Sequence, residues 1–196
     1  VDLVALVRAV ADGFAAAAEE RGIRLSFAGE AALHADVDRA KFVRIVTNLL
    51  SNAFKFTPAG GRIRCSIERL PGEWALLSIQ DSGPGVPDHL KRPIFDRYAQ
   101  GADELSSKGS GLGLNIVKEF VELHRGTISV LDAPERGALF QVELPLRAPP
   151  GAFVRAPDAG WVPALEPIEA VRHGEQPKLP QKAGSPRILV VEDNPD

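Results

Sequence analysis

The stretch DRAKFVRIVTNLLSNAFKFTP, residues 38–58, and the run GRIRCSIERLPGEWALLSIQ, residues 61–80, decide the fold. In the first, Phe42, Val46, Leu49, Ala53 and Phe56 form one apolar stripe at helical spacing, broadened by Val43, Leu50 and Phe54. A long helix from about Asp38 to Phe56 is predicted, ended by Pro58 and Gly60-Gly61. In the second, residues alternate with period two on either side of Pro71-Gly72, which predicts a hairpin of Gly61–Leu70 and Trp74–Gln80.

Upstream, Leu3, Leu6, Val7, Val10 and Phe14 predict a helix ending at Arg21, before Gly22. Short strands are expected around Ile23–Phe27 and Ala31–His34. Downstream of the hairpin lies a Gly- and Pro-rich stretch over residues 81–111. A helix over Leu112–His124 follows, then strands at Thr127–Leu131 and Ala138–Leu144. Helices and antiparallel strands are mixed without regular alternation. Residues 1–146 therefore read as one α+β domain, a two-layer sandwich whose mixed, largely antiparallel sheet is covered by about three helices. From Arg147 to Pro186 prolines are dense and no apolar period survives, as in an extended linker. Ile188–Val191 then opens a strand, so the chain reads as a fragment of something longer.

Bulk properties narrow the function. The 196 residues are 44% hydrophobic and 25% charged with a net charge of -3, a globular composition without the basic excess of a nucleic-acid or membrane-surface binder. No apolar run reaches the roughly 20 residues of a membrane span. The single Cys65 reads as a small buried hydrophobe, and a reducing, cytoplasmic setting is expected.

Three segments carry chemistry. On the long helix Lys41, Arg44, Asn48, Asn52 and Lys55 share a second face. Asn is a mediocre helix former, and two at i and i+4 suit an amide ligand completing a Mg²⁺ shell of phosphate oxygens and water; a solvated face is the plainer alternative. At the end of the second hairpin strand, Asp81 shares the core-side row of Ala75, Leu77 and Ile79, where an unpaired carboxylate is costly. A ligand amino group, such as the exocyclic amine of adenine, would satisfy it, and Gly83 and Gly85 let backbone approach a flat ring; a simple turn is the alternative. Finally, Lys108-Gly109-Ser-Gly111-Leu112-Gly113 directly precedes a helix, where exposed N–H groups and the helix dipole favour phosphate.

The order of these segments resembles the histidine-kinase catalytic domain of the ATPase superfamily shared with gyrase, Hsp90 and MutL. Asn48-Leu-Leu-Ser-Asn52-Ala-Phe-Lys55-Phe56-Thr-Pro is similar to that family's N box and Asp81–Val86 to its first glycine box. Ile94-Phe95-Asp96-Arg97-Tyr98 is similar to its F box, and Gly109–Leu114 to its second glycine box. The resemblance covers residues 1–146 and implies a Bergerat-type ATP-binding fold using ATP and Mg²⁺. It implies Asn52 as the Mg²⁺ ligand, with Asn48 and Lys55 at the phosphates and Phe56 near the nucleotide. Asp81 would accept the adenine amine, with Gly83 and Gly85 beside the base. Arg97 and Lys108 would flank a mobile lid, and Gly109, Gly111, Leu112 and Gly113 would border the phosphates.

The hydrolysing members place a Glu four residues before the Mg²⁺ Asn to activate water, whereas this chain has Asn48, which cannot accept a proton. The resemblance thus implies γ-phosphate transfer to a histidine on an upstream dimerisation domain. None of the four histidines, His34, His89, His124 and His173, fits that acceptor role. Pro186-Arg-Ile-Leu-Val-Val-Glu192-Asp193-Asn194 resembles the first strand of a receiver domain, over residues 187–196, which implies a hybrid kinase relaying phosphate to an aspartate. Competing readings are a degenerate nucleotide-binding interaction module, an anti-sigma-factor-type serine kinase and a topoisomerase fragment.

Overall fold

The computed structural model describes residues 1–96 and 113–148. Asp2 opens α1 (Leu3–Gly13), its carboxylate accepting from Val4 N at 3.0 Å. The expected single first helix is broken. Phe14 N–H bonds to Ala11 O, one residue short of the α-helical partner, and α2 (Ala15–Glu20) restarts after it. The break turns Phe14 inward onto Phe54, with ring centroids 5.0 Å apart.

Asp38 caps α3 (Arg39–Phe56) by accepting from Lys41 N at 3.0 Å. The helix buries Phe42, Ile45, Val46, Leu49, Leu50, Ala53 and Phe54. Val43 and Phe56, expected in the stripe, are only half-buried.

The hairpin forms as β2 (Arg62–Leu70) and β3 (Trp74–Asp81). β1 (Arg24–Gly29) joins it in parallel on one side, and β5 (Ala138–Pro145) antiparallel on the other. β4 (Thr127–Asp132) completes the order β1-β2-β3-β5-β4. The sheet is therefore mixed and largely antiparallel, as expected. Among the described residues four α-helices accompany it, the expected first helix being split in two and α4 (Gly113–Leu123) following. Alternate residues Ile63, Cys65 and Ile67 of β2, Ala75, Leu77 and Ile79 of β3, and Phe140, Val142 and Leu144 of β5 join α1, α3 and α4 in one buried core. Burial pushes the Cys65 thiol up to about 12, so it stays a protonated apolar filler.

Residues 31–34 do not form the expected strand. Leu33 and Ala35 are buried and His34 exposed, which mimics strand alternation. Their bonds run instead to the N-terminal segment, Leu3 N to Leu33 O at 2.8 Å and Ala35 N to Val1 O at 2.9 Å, and only an isolated Asp2–His34 bridge results. Among the described residues no helix is long and apolar enough to cross a membrane.

Candidate active site

α3 and α4 pack together, with contacts near both ends of α4. At one end His124, just after α4, accepts from Asp38 N through Nε2 at 3.0 Å. Its Nδ1 lies 2.6 Å from Phe120 O, so Nδ1 carries the proton. At the other end Gly113, the first residue of α4, lies against the Asn48 amide. A Cβ there would sit 3.8 Å from Asn48 Oδ1. This places the start of α4, where backbone N–H groups lack intrahelical partners, beside the polar face of α3.

Asn48, Asn52, Lys55 and Phe56 stand on the second half of α3, the first, second and fourth half-buried and Lys55 exposed. The Asn48 Nδ2 donor is buried without a hydrogen-bond partner among the described residues. Such a donor costs free energy unless something else accepts from it, so it fits an anionic ligand oxygen. Lys55 Nζ lies 4.9 Å from the centre of the Phe56 ring. Desolvation pulls its ammonium below the ordinary lysine value. The C-terminal turn carrying this pair is held by Arg21, which donates to Phe54 O and, at 2.7 Å, to Thr57 O.

Asp81 closes the core-side row of β3 and is 5% exposed. Its Oδ1 accepts from Gly83 N at 2.8 Å and Ala138 N at 3.3 Å. Both bonds it accepts from described residues fall on that one oxygen. The other oxygen of the buried carboxyl accepts no bond from a described residue. Burial raises the pKa of this group, and the two backbone N–H bonds only partly oppose that shift.

The turn after Asp81 packs against the end of α3. A Cβ on Gly83 would lie 2.8 Å from Phe56 O and 2.8 Å from Asp81 Oδ1, so no side chain fits. Gly85 stands at φ +84° beside Gly137 O. Gly137 is a requirement that the motifs did not reveal, since a Cβ there would sit 1.9 Å from Asp81 O. Arg21 is another, acting on residues 33 and 36 positions away in the chain. Neither stands in a local pattern with the residues it serves.

The structure thus brings Asn48, Asn52, Lys55, Phe56, Asp81, Gly83, Gly85 and Gly113 around one end of α3. Arg97, Lys108, Gly109, Gly111 and Leu112 lie outside the described residues. The described residues on either side of that segment are tied together. Asn115 Nδ2 donates to Phe95 O at 3.3 Å, Lys118 pairs with Asp96 at 3.3 Å, and Phe95 packs edge-on against Phe140. Among the described residues no cluster of His, Cys, Asp and Glu could hold a metal ion.

Comparison with known proteins places this geometry. The family described as "Histidine kinase-, DNA gyrase B-, and HSP90-like ATPase" matches residues 37–148. The sensor histidine kinase TmoS of Ectopseudomonas mendocina is 48% identical over 207 aligned residues, covering 100% of this chain and 21% of its own length. Hybrid signal transduction histidine kinase D of Dictyostelium discoideum is 41% identical over 74% of this chain and 10% of its own. The chain therefore spans about a fifth or less of these relatives. Among solved structures, the catalytic domain of histidine kinase ThkA superposes with a TM-score of 0.66 at 25% identity, over 76% of this chain and 97% of that one. ThkA in complex with the response regulator TrrA gives 0.64 at 26%, over 74% and 41%. With the fold, the order of the motifs and these similarities in agreement, the chain belongs to the histidine kinase-, DNA gyrase B- and HSP90-like ATPase family, and the matched region is a catalytic domain of the sensor histidine kinase type.

Proposed function

We propose that residues 1–146 bind ATP with Mg²⁺ and deliver the γ-phosphoryl group to a histidine on a dimerisation domain of the parent protein. The observation that carries this reading is the buried Asn48 Nδ2, which has no partner among the described residues and belongs to the amide lying against the start of α4, a neutral donor where the hydrolysing relatives are expected to hold a proton acceptor. An amide donor stabilises charge on phosphate oxygens and takes no proton from water, so it serves transfer to a nucleophile supplied elsewhere.

Each residue then has a task its position supports. Asp81 receives the adenine amine on the carboxylate oxygen opposite its two backbone bonds, while Gly83 and Gly85 keep that turn close to the base. Phe56 borders the base, and Lys55 reaches the phosphates. Asn52 would hold Mg²⁺ together with phosphate oxygens, and the ion would supply positive charge to the phosphoryl group. Gly113, with Gly109, Gly111 and Leu112, lines the phosphate side through backbone N–H groups. Arg97 and Lys108 meet the phosphates from the segment between Asp96 and Gly113. In the transfer itself the bond from γ-phosphorus to the β-bridging oxygen breaks, the bond to the histidine nitrogen forms, and ADP leaves.

We further read residues 147–186 as a linker and 187–196 as the start of a receiver domain, so that the parent is a hybrid kinase. One relative is named as a hybrid kinase, and ThkA is solved in complex with a separate response regulator; both fit a parent that passes phosphate to a receiver. The setting is cytoplasmic, with no nucleic-acid or membrane contact by this segment.

Calorimetric titration with ATP, with and without Mg²⁺, tests the site. Wild-type affinity should rise with Mg²⁺, and Asn52→Ala should lose that increment while keeping the Mg²⁺-independent part. Absence of ATP binding by the folded wild-type chain would replace this account with an interaction module without turnover.

A further inference from the structure

The face of the sheet turned away from the helices holds a cleft of about 430 Å³, lined among others by Arg24, Arg62, Arg64, Gln80, Ser82 and Arg136. That is the size of a small-molecule site. Strand pairing assembles it. Arg24 is paired with Arg62 across β1 and β2, Ser26 with Arg64, and Arg64 with Gln80 of β3. Arg62 and Arg64, two residues apart, project to the same side.

Four guanidinium groups thus line one recess on a chain whose net charge is -3. Glu135, also in the lining, is engaged by Arg62. Arg24, Arg64 and Arg136 form no ion pair with a described residue. Asp81 contributes to the wall, but its carboxyl belongs to the opposite, core-side row. Like charges gathered in this way repel unless an anion joins them.

Arg136 adds a second observation. It stands at φ 79°, a conformation that costs an L-residue and that glycine would adopt freely. The tight turn before β5 therefore carries a cationic side chain where local preference disfavours one, and that side chain lines the cleft.

We propose that this cleft binds a small polyanion bearing phosphate or carboxylate groups, at a site separate from the nucleotide groove. Guanidinium forks bind both groups in a bidentate manner. A recess, rather than a flat charged face, favours a small ligand over an acidic protein surface. The two sites lie back to back on one turn. Ser82 Oγ accepts from Arg62 N at 2.8 Å on the cleft side, while the Asp81 carboxyl faces the helices.

The test follows backbone and arginine side-chain N–H signals of the 196-residue chain by NMR during titration with inorganic pyrophosphate, without Mg²⁺. Saturable shifts are expected at Arg24, Arg64, Arg136 and Ser82, with affinity falling about tenfold or more in Arg64→Ala and Arg136→Gly. The glycine variant accepts the same backbone angle, so its fold is retained. Asn48→Ala, at the nucleotide's phosphate place, should leave these shifts unchanged, which separates this site from the nucleotide reading. Shifts confined to Asn48, Lys55 and Gly113 would mean that pyrophosphate occupies only the nucleotide's phosphate place, and would overturn the proposal. So would an absence of shifts, or a response only to an oligoglutamate peptide.

Discussion

Asp81→Asn separates nucleotide recognition from folding. The two backbone donors, Gly83 N and Ala138 N, both point at Oδ1, so they will orient an Asn with its carbonyl oxygen in that place. The amide NH₂ then stands where the second carboxylate oxygen was, donor facing the adenine amine. A hydrogen bond to a charged group is worth about 1.5–3 kcal/mol, so ATP affinity should fall roughly 10- to 150-fold. Inosine triphosphate, which carries a carbonyl oxygen in place of that amine, should bind the variant better than ATP does, reversing the wild-type preference. Stability should not suffer. The carboxyl is buried and its pKa raised, so its neutral isostere removes a desolvation cost. Tm should stay within about 3 °C, under ~1 kcal/mol for a chain of this size. Titration calorimetry with both nucleotides, paired with thermal melts, gives both numbers. Unchanged ATP affinity in the variant, or a large fall in Tm, would refute the assignment.

Asn48→Ala should leave Tm nearly unchanged, because the Nδ2 it removes has no partner among the described residues, yet reduce phosphoryl transfer at least tenfold in a reconstituted assay. Gly83→Ala drives a Cβ into Phe56 O and Asp81 Oδ1; overpacking of about 1–3 kcal/mol should lower Tm by on the order of 5 °C and weaken ATP binding, checked by melts and calorimetry. Asp81 also sets a pH signature. Its folded pKa lies above the ordinary 3.8, so the native state takes up this proton more readily than the unfolded chain. Falling pH through that window should stabilise the wild type relative to Asp81→Asn, while ATP affinity declines as the acceptor is protonated; parallel melts and titrations against pH read both trends.

The sequence carried the hairpin, the long helix and the last two strands because each has enough residues for its period to stand out. Asp81 was readable for the same reason, as the next member of the row Ala75, Leu77, Ile79. The break at Phe14 was not, since the apolar spacing continues into it and the gain is a tertiary contact with Phe54. Residues 31–34 misled because two buried residues around an exposed one satisfy alternation without a strand partner in the sheet. Arg21, Gly137 and the Ala138 amide act on groups distant in sequence, so only the folded arrangement reveals them. The cleft of arginines is spread over three strands and a turn, and no single segment looks unusually basic.

The central claim is that this domain transfers phosphate rather than hydrolysing ATP, and γ-labelled ATP tests it most directly. The chain should be incubated with the label and Mg²⁺, alone and with the parent protein's histidine-bearing dimerisation domain. The account predicts negligible phosphate release and no label on the chain alone. With the second domain present, label should appear there in an acid-labile, alkali-stable linkage. Steady release of inorganic phosphate by the chain alone, or no transfer despite ATP binding, would contradict it.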